Sequence, residues 1–440
     1  MTPRGWSFVL NWSRVGINAA LFLAATRVLT LAEIGLFATA FAPIRLTQGL
    51  HKAGVADAVI VLRRPHRLDA LFALSVGTGG ALTALFMAVG AWLSPMLLVL
   101  GAIPLINSLG GVSEGLLRQR LHLRTLALRT LAAQGIAAGL AVCLLATGFG
   151  AWALVAFALG NAVLTCALSL VLARWRPRHW PTQRSISLIL PKTAEIGGRV
   201  LLGTAQMPLA QLAVGLSLGP VAAGAFQIAT RMLELIEALT LSPLRFVALP
   251  QLSRSTTLRQ DLHSHLRHTA RLAAWVWAGT FVAAPQILAV AVGPTHAVAA
   301  TPVLRALVLL GLLSALLMPL TQALTARGHT GLVLRRAALS LGLSAVLIAP
   351  ALLLSPVAAA LALCAAGTLT ALWFMFRALD TLRLNRANLF PALPPLLAGA
   401  AMGITLMLCP PMPLLAQIAL GTAMYLPLLA IDRPRFRSLA

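Results

Sequence analysis

Residues 151–192 read AWALVAFALGNAVLTCALSLVLARWRPRHWPTQRSISLILPK, and the contrast between the two halves of this stretch guides the interpretation of the whole chain. The first half, 151–173, is an apolar run of about 20 residues, the length that crosses a bilayer as a helix. The second half, 174–192, is rich in Arg, Trp and Pro, which is typical of a segment at the cytoplasmic lipid headgroups. The stretch therefore predicts a membrane helix followed by a basic linker.

The composition extends this interpretation to the full chain. Of 440 residues, 59% are hydrophobic and only 10% are charged, with a mean hydropathy of +0.89. A soluble domain is about 45–50% apolar and about 25% charged. We therefore predict an all-α, polytopic membrane protein. The net charge of +24 comes from 34 Lys and Arg against 10 Asp and Glu, but too few polar residues remain to build a solvated basic face for nucleic acid.

Fourteen apolar segments have the length of a membrane span. The count falls to twelve if the last two segments lie in the membrane interface. The segments are 6–26, 34–53, 69–93, 95–115, 126–147, 151–173, 193–217, 221–247, 269–292, 302–325, 331–353, 357–377, 389–409 and 413–431.

The loop charges predict the orientation of these spans. With the N-terminus in the cytoplasm, nearly all loop arginines and lysines fall on the cytoplasmic side, and only Arg27 and Arg305 lie on the other. Basic residues are retained on the cytoplasmic side during membrane insertion. We therefore expect both termini to be cytoplasmic.

The basic linker divides the chain into two predicted lobes. Residues 1–173 form an N-lobe of six spans and 193–380 form a C-lobe, while 381–440 hold a terminal helix pair and a basic tail. Gly35–Phe37 at the start of the second span is similar to Gly224–Phe226 at the start of the eighth. Membrane transporters often contain such internal repeats and bind substrate where the repeats meet. We therefore expect two pseudo-symmetric lobes around a central cavity.

Polar side chains within the spans concentrate on the first two helices of each predicted lobe. An arginine at the bilayer centre costs about 2.5–3.5 kcal/mol on insertion scales, so it should face a wet cavity or a partner. Spacings of three or four residues place each set on one helix face. The sets are Asn11, Arg14 and Asn18; Arg45, Gln48 and Lys52; Glu195, Arg199 and Gln206; and Gln227, Arg231 and Glu234, with Arg245 a further intramembrane arginine.

These sets allow two interpretations. Span one holds no carboxylate beside Arg14, and the same is true of predicted span two around Arg45. Unneutralised guanidinium groups favour an anionic ligand, above all a phosphate. In spans seven and eight, by contrast, Glu195 and Arg199 are four residues apart, and Arg231 precedes Glu234 by three. Each of those pairs can simply neutralise itself.

Features of an enzyme or a metalloprotein are weak in this sequence. His263, His265 and His268 lie near Asp261 in a basic loop, where a solvated helix face is favoured over a metal site. No catalytic motif is present, and the longest non-cytoplasmic loop, around 293–302, is too short for a catalytic domain. We predict a protein that is not an enzyme and needs no cofactor or metal.

Five short segments in chain order resemble the motifs of one membrane protein family. The segments are TRVLTLAEIGL at 26–36, EGLLRQRLHLRTLALRT at 114–130, GFGAWALV at 148–155, LGPVAAGAFQIATR at 218–231 and LPQLSR at 249–254. They resemble the motifs of polysaccharide transporter family flippases, whose superfamily also contains the multidrug and toxin extrusion proteins. Two positions depart from the family pattern: Thr30–Leu31 replaces a Gly-Pro, and Phe226 replaces a Tyr.

The resemblance implies a lipid-linked sugar as the substrate. A family member would translocate undecaprenyl-pyrophosphate-linked oligosaccharide across the bacterial inner membrane by alternating access, for lipopolysaccharide or exopolysaccharide synthesis. A polysaccharide polymerase and other assembly proteins are candidate partners. The corresponding hypothesis assigns Arg14, Arg45, Arg199 and Arg231 to the pyrophosphate, Asn11, Asn18, Gln48, Gln206 and Gln227 to sugar hydroxyls, and Glu195 and Glu234 to ion coupling.

Three other functions remain open. A multidrug-type efflux antiporter would need an acidic cavity for cationic drugs, and span one has no carboxylate. A flippase for the lipid-linked peptidoglycan precursor would share the cationic cavity. An integral glycosyl polymerase or transferase would need a larger loop outside the membrane than this chain provides.

Overall fold

A computed structural model describes residues 3–62, 65–120, 122–177, 182–241, 244, 248, 251–253, 257–385, 390, 392–409 and 412–431. Most of these residues are helical, and none of them forms a β-strand. The helices are α1 Pro3–Val28, α2 Leu31–Gln48, a π-helix Gly49–Gly54, α3 Val55–Leu62, α4 Pro65–Leu93, α5 Pro95–Leu100, α6 Ile103–Gln119, α7 Leu123–Ala146, α8 Trp152–Ala173, α9 Gln183–Thr204, α10 Gln206–Thr240, α11 Leu258–Val292, α12 Pro294–Ala326, α13 Thr330–Ala351, α14 Pro356–Leu382, α15 Leu393–Leu408 and α16 Leu414–Ile431.

The predicted all-α membrane fold is confirmed. The described part of each of the fourteen predicted segments is largely helical, and the seventh and eighth share α10, which turns at Gly219; this fits the predicted count. Within the described ranges, nine helices are long and apolar enough to cross a bilayer, and α15 and α16 are shorter apolar helices.

Three spans are less regular than the sequence predicts. The second continues beyond Gln48 as a π-helix, and the fourth is interrupted at Gly101 between α5 and α6. The seventh is interrupted at Ala205 between α9 and α10. The turn predicted between spans seven and eight is present at Gly219, where φ is 84° and ψ is 178°. Glycine adopts a positive φ at little steric cost, so it suits this turn.

The chain divides into two compact units, residues 1–224 and 225–440. The lobe and linker boundaries drawn from the sequence remain predictions, and 178–181 and 432–440 lie outside the described residues. Helix α9 begins at Gln183, with Thr182 as its N-cap, so the second half of the predicted linker is helical. Ile189 of α9 is buried with Val59 and Leu71, so α9 packs into the first unit.

Small residues let the helices of the first unit approach closely. Atoms of Cys166 on α8 lie 3.2 Å from the position of a Cβ on Gly110, so α6 and α8 are in close contact. On a neighbouring face of α6, a Cβ on Gly115 would lie 2.7 Å from the Cβ of Val59 on α3. Association of helices in lipid depends on such close packing, because lipid chains are as apolar as the side chains they replace.

A hydrogen bond between helices stabilises a proline site in the second unit. Pro285 lies inside α11, and its missing N–H leaves the carbonyl of Phe281, four residues earlier, without its helical donor. Arg305 of α12 supplies a donor, with its Nε 3.0 Å from that carbonyl oxygen. Its guanidinium also lies 5.6 Å from the centre of the Phe281 ring. Arg305 therefore compensates for the proline.

We expect Arg305→Leu to lower the free energy of unfolding by about 1–3 kcal/mol, because it leaves the Phe281 carbonyl without a donor. In a Pro285→Ala background the backbone N–H returns, so the same replacement should cost much less. Unfolding of the four proteins in detergent gives the coupling energy. Equal losses in both backgrounds would contradict the role given to the Arg305–Phe281 hydrogen bond.

Candidate functional site

Helix α2 runs antiparallel to the consecutive helices α9 and α10, which also carry polar sets, and it contacts both of them. A Cβ on Gly54 would lie 3.2 Å from the Cα of Gly197. One on Gly49 would lie 3.1 Å from Thr204 Oγ1, and one on Gly215 would lie 2.6 Å from Thr39 Cγ2. The contact therefore extends from the π-helix to the far end of α2 and depends on glycine throughout.

The closest part of this contact is reciprocal. A Cβ on Gly35 would clash with the carbonyl oxygen of Pro220 and lie 2.7 Å from the nitrogen of Gly224. A Cβ on Gly224 would clash with the carbonyl oxygen of Leu31 and lie 2.9 Å from its carbonyl carbon. Gly35 thus packs against Pro220, four residues before Gly224, and Gly224 packs against Leu31, four residues before Gly35. The two glycines of the predicted internal repeat, Gly35 and Gly224, therefore contact one another's helices.

A third motif segment joins this region through Glu33, in the first turn of α2. The Glu33 carboxylate accepts a hydrogen bond from the Thr30 backbone N–H at 2.9 Å, and Thr30 Oγ1 accepts one from the Glu33 backbone N–H at 3.3 Å, which forms a capping box. The other carboxylate oxygen lies 2.6 Å from the position of a Cβ on Gly150, where φ is 58°. Segments 26–36, 148–155 and 218–231 are therefore in contact, although they are far apart in the chain.

The motif segment at 114–130 forms a buried ion-pair cluster. Glu114 of α6 accepts hydrogen bonds from Arg118 at 2.5 Å and from Arg129 of α7 at 3.3 Å. The same Arg129 nitrogen donates to the Ser169 hydroxyl of α8 at 2.7 Å. Glu114 and Arg129 are buried, so their mutual pairing offsets the cost of removing both charges from water. The cluster therefore links α6, α7 and α8.

The structure brings some of the predicted site residues close together. Gln48 is next to Gly49, which contacts Thr204 near the end of α9, and Gln206 begins α10 two residues later. Arg45 lies on the preceding turn of α2 and is half-buried. Arg45 and Gln48 at the end of α2 therefore lie within about a turn of the contact that α2 makes near Gln206.

The acidic residues of the predicted site are both paired. Glu195 accepts a hydrogen bond from Arg199, and both side chains are exposed. The pair lies on the opposite side of α9 from Gly197, which contacts α2. In the second unit, Arg231 and Glu234 form an ion pair at 2.8 Å. These are the pairs that the sequence spacing allows.

The remaining predicted residues are dispersed. Arg14 on α1 is exposed, and the Asn18 side chain donates to the Arg14 carbonyl oxygen at 2.7 Å. Gln227 is buried in the second unit. Arg245 and the side chains of Asn11 and Lys52 lie outside the described residues. The shared central cavity for all these residues remains a prediction.

The sequence interpretation did not single out His51, a buried titratable residue in the π-helix between α2 and α3. It is 1% exposed, and its Nδ1 lies 3.1 Å from the carbonyl oxygen of Thr47. A single histidine in an apolar span gives little signal by itself, although the flanking Gly49 and Gly54 mark an irregular turn. Over the described residues, no cluster of three His, Cys, Asp or Glu could hold a metal ion.

Comparison with known proteins connects these features to a family. The sequence profile of polysaccharide biosynthesis proteins matches residues 24–301, more than half of the chain. The chain belongs to the polysaccharide biosynthesis protein family. It is 26% identical over 301 residues to the succinoglycan biosynthesis transport protein ExoT of Rhizobium meliloti (strain 1021). That match covers 64% of the chain and 58% of the relative, so the chain spans less than two thirds of that relative's length.

Solved structures with the same fold are transporters. The lipid II flippase MurJ in an inward closed conformation superposes with a TM-score of 0.81 and 15% identity, over 97% of this chain and 98% of that one. An inward-facing multidrug resistance transporter of the MATE family gives a TM-score of 0.61 and 18% identity, over 84% and 96%. The family match and the apolar helices make the chain a multi-pass membrane protein of the polysaccharide biosynthesis protein family, and the two solved structures show the fold that it shares with them.

We expect Gly35→Ala to lower the free energy of unfolding by about 1–3 kcal/mol, because the new methyl group meets the backbone of Pro220. Gly203→Ala on α9 is the matched control, because no atom lies within 4 Å of its Cβ position. That change should be neutral or add up to about 1 kcal/mol. Thermal unfolding in detergent measures both, and two similar values would refute the close contact at Gly35.

Proposed function

We propose that this protein is a flippase for undecaprenyl-pyrophosphate-linked oligosaccharide in the bacterial inner membrane, with both termini in the cytoplasm. It would move its substrate from the cytoplasmic to the outer leaflet by alternating access, in the synthesis of lipopolysaccharide or exopolysaccharide. The family match and the name of the succinoglycan transport relative support a polysaccharide as the cargo.

The observation that carries the proposal is the cationic character of α1 and α2. Helix α1 contains no Asp or Glu, and the one carboxylate of α2, Glu33, is held in the capping box at the far end from Arg45. Guanidinium groups bind phosphate oxygens with paired, charge-assisted hydrogen bonds. Arg14 and Arg45 therefore suit the pyrophosphate of a lipid-linked sugar.

The other candidate residues have secondary roles in this proposal. Arg199 and Arg231 would add contacts to the pyrophosphate by exchanging their carboxylate partners for it. Glu195 and Glu234, once released, could then take up a coupling cation. Asn11, Asn18, Gln48, Gln206 and Gln227 would contact sugar hydroxyls. A polysaccharide polymerase and other assembly proteins would receive the product at the outer leaflet.

A flippase for the peptidoglycan lipid precursor is the second candidate, favoured by the end-to-end fold similarity to MurJ. Both substrates carry a pyrophosphate on an isoprenoid chain, so the cationic helices suit either. A multidrug efflux antiporter is less well supported. Its cationic drugs would meet Arg14 on a helix with no carboxylate.

The first test removes both central arginines. We expect Arg14→Gln with Arg45→Gln to lower surface polysaccharide at least about tenfold, because two charge-assisted contacts are lost. The measurement is surface polysaccharide of a deletion strain that expresses the variant. The control, Arg120→Gln with Arg335→Gln, removes the same charge from two exposed positions. Full polysaccharide from the first variant, at normal membrane levels, would overturn the assignment.

The second test exchanges one ion pair. Glu195→Arg with Arg199→Glu keeps the charges at the same spacing on α9 but reverses their positions. We expect transport to fall about tenfold, because the guanidinium no longer reaches the pyrophosphate. Retained transport would show that the two residues only neutralise each other. The corresponding exchange of Arg231 with Glu234 tests the second unit in the same way.

A further inference from the structure

His51 is a buried histidine with one nitrogen satisfied and the other without a partner. Its Nδ1 lies 3.1 Å from the Thr47 carbonyl oxygen. A carbonyl only accepts hydrogen bonds, so Nδ1 carries the proton and Nε2 is the basic nitrogen. Within the described part of the chain, Nε2 is buried and has no hydrogen-bond partner. The side chain is therefore neutral here, with an unused acceptor.

The surrounding helices offer no carboxylate that is available to a protonated His51. The π-helix packs against α2, α3, α6 and α9. On α6, Gly111 faces the His51 backbone, and Glu114 is already bound by Arg118 and Arg129. Protonated His51 would therefore be a buried cation without a counterion in this conformation.

The described residues of the other three helices, α9, α3 and α2, also offer no counterion to a protonated His51. On α9 the contacting residues are Gly197, Val200 and Thr204, and the Glu195–Arg199 pair lies on the opposite side. On α3, Asp57 is exposed, six residues beyond His51. On α2, Arg45 is a cation and would oppose a second positive charge nearby.

A second buried group in the same region is also unpaired. Asn107 of α6 lies one turn before Gly111, and its Nδ2 has no partner within the described residues. Its amide could donate to a neutral Nε2 or, through Oδ1, accept from a protonated one. Both groups are thus unsatisfied within the described residues, and Gly111, one turn from Asn107, lies against the His51 backbone. A π-helix is a suitable place for a change of conformation, because its backbone is wider than an α-helix and often lies at functional sites.

We propose that Nε2 of His51 is a proton-binding site that couples proton uptake to conformational change in the transporter. His51 is neutral in the conformation described here. Its protonated form stabilises a second conformation, in which Nε2 reaches water or the side chain of Asn107. A proton that binds one conformation better than the other shifts the balance between them. The coupling to transport rests on the proposed flippase function.

The transport experiment uses the full-length protein in liposomes of phosphatidylethanolamine and phosphatidylglycerol. The probe is a fluorescent undecaprenyl-pyrophosphate-linked oligosaccharide, and a membrane-impermeant quencher reports the fraction in the outer leaflet. We expect the wild-type rate to change at least about fivefold between about pH 5.5 and pH 8. His51→Gln should show a flat profile, and His268→Gln, at an exposed histidine of α11, should keep the wild-type profile.

The second experiment does not depend on transport. Thermal unfolding in detergent is followed over the same pH range for the same three proteins. A protonated imidazole is hydrated in the unfolded chain but would be a buried cation without a counterion in the folded conformation described here, so acid should lower the wild-type unfolding midpoint. We expect His51→Gln to lose part of that acid sensitivity and His268→Gln to lose less. His51→Asn, which keeps an amide donor near Thr47, serves as a second variant.

The outcomes separate the two proposals. A His51→Gln protein with wild-type pH dependence in both experiments overturns the proton site. If the His51→Gln protein does not transport the probe, the unfolding experiment decides. A midpoint that falls less in acid than that of the wild type supports the proton site, and an unchanged fall overturns it. If the wild type does not move the probe but His51→Gln still loses acid sensitivity in unfolding, the proton site stands and the flippase function fails.

Discussion

The glycine-mediated contact between α2 and α9–α10 is the constraint on which the arrangement of the first unit depends. Gly35 and Gly224 each occupy a place where a methyl group would meet the backbone of the other helix. In lipid, where apolar burial gives helices little reason to associate, such backbone proximity is a main source of attraction. This contact fixes the position of α2 along α10, and so the relative positions of Arg45 and Gln206 along the two helices.

Charged side chains within the spans have hydrogen-bond partners on other helices at two places in this protein. Glu114 accepts hydrogen bonds from two arginines, and Arg305 donates to a carbonyl that Pro285 leaves without its helical donor. Both arrangements fit the cost of an unpaired polar group in a medium without water. His51 is one of several buried polar groups that differ, because its Nε2 has no partner within the described residues. The proton site proposed for His51 depends on that unused acceptor.

The fold was largely predictable, and the site only in part. The spans follow from apolar runs whose length the bilayer sets, so the described part of each predicted segment is largely helical. The ion pairs of Glu195 with Arg199 and Arg231 with Glu234 also follow from spacing along one helix. The π-helix and the interruption at Ala205 were not predictable, because they depend on the packing of neighbouring helices and have little signature in local hydropathy.

The sequence alone determined that this protein is a helical membrane protein, where its spans lie and which of them carry cations. It also pointed to the transporter family through short motifs. Only the tertiary structure decided that 26–36, 148–155 and 218–231 lie together, and that Glu114 receives Arg129 from another helix. The reason is physical: hydropathy and helix spacing act within about one turn of a single helix, whereas contacts between distant segments depend on how closely their backbones can approach.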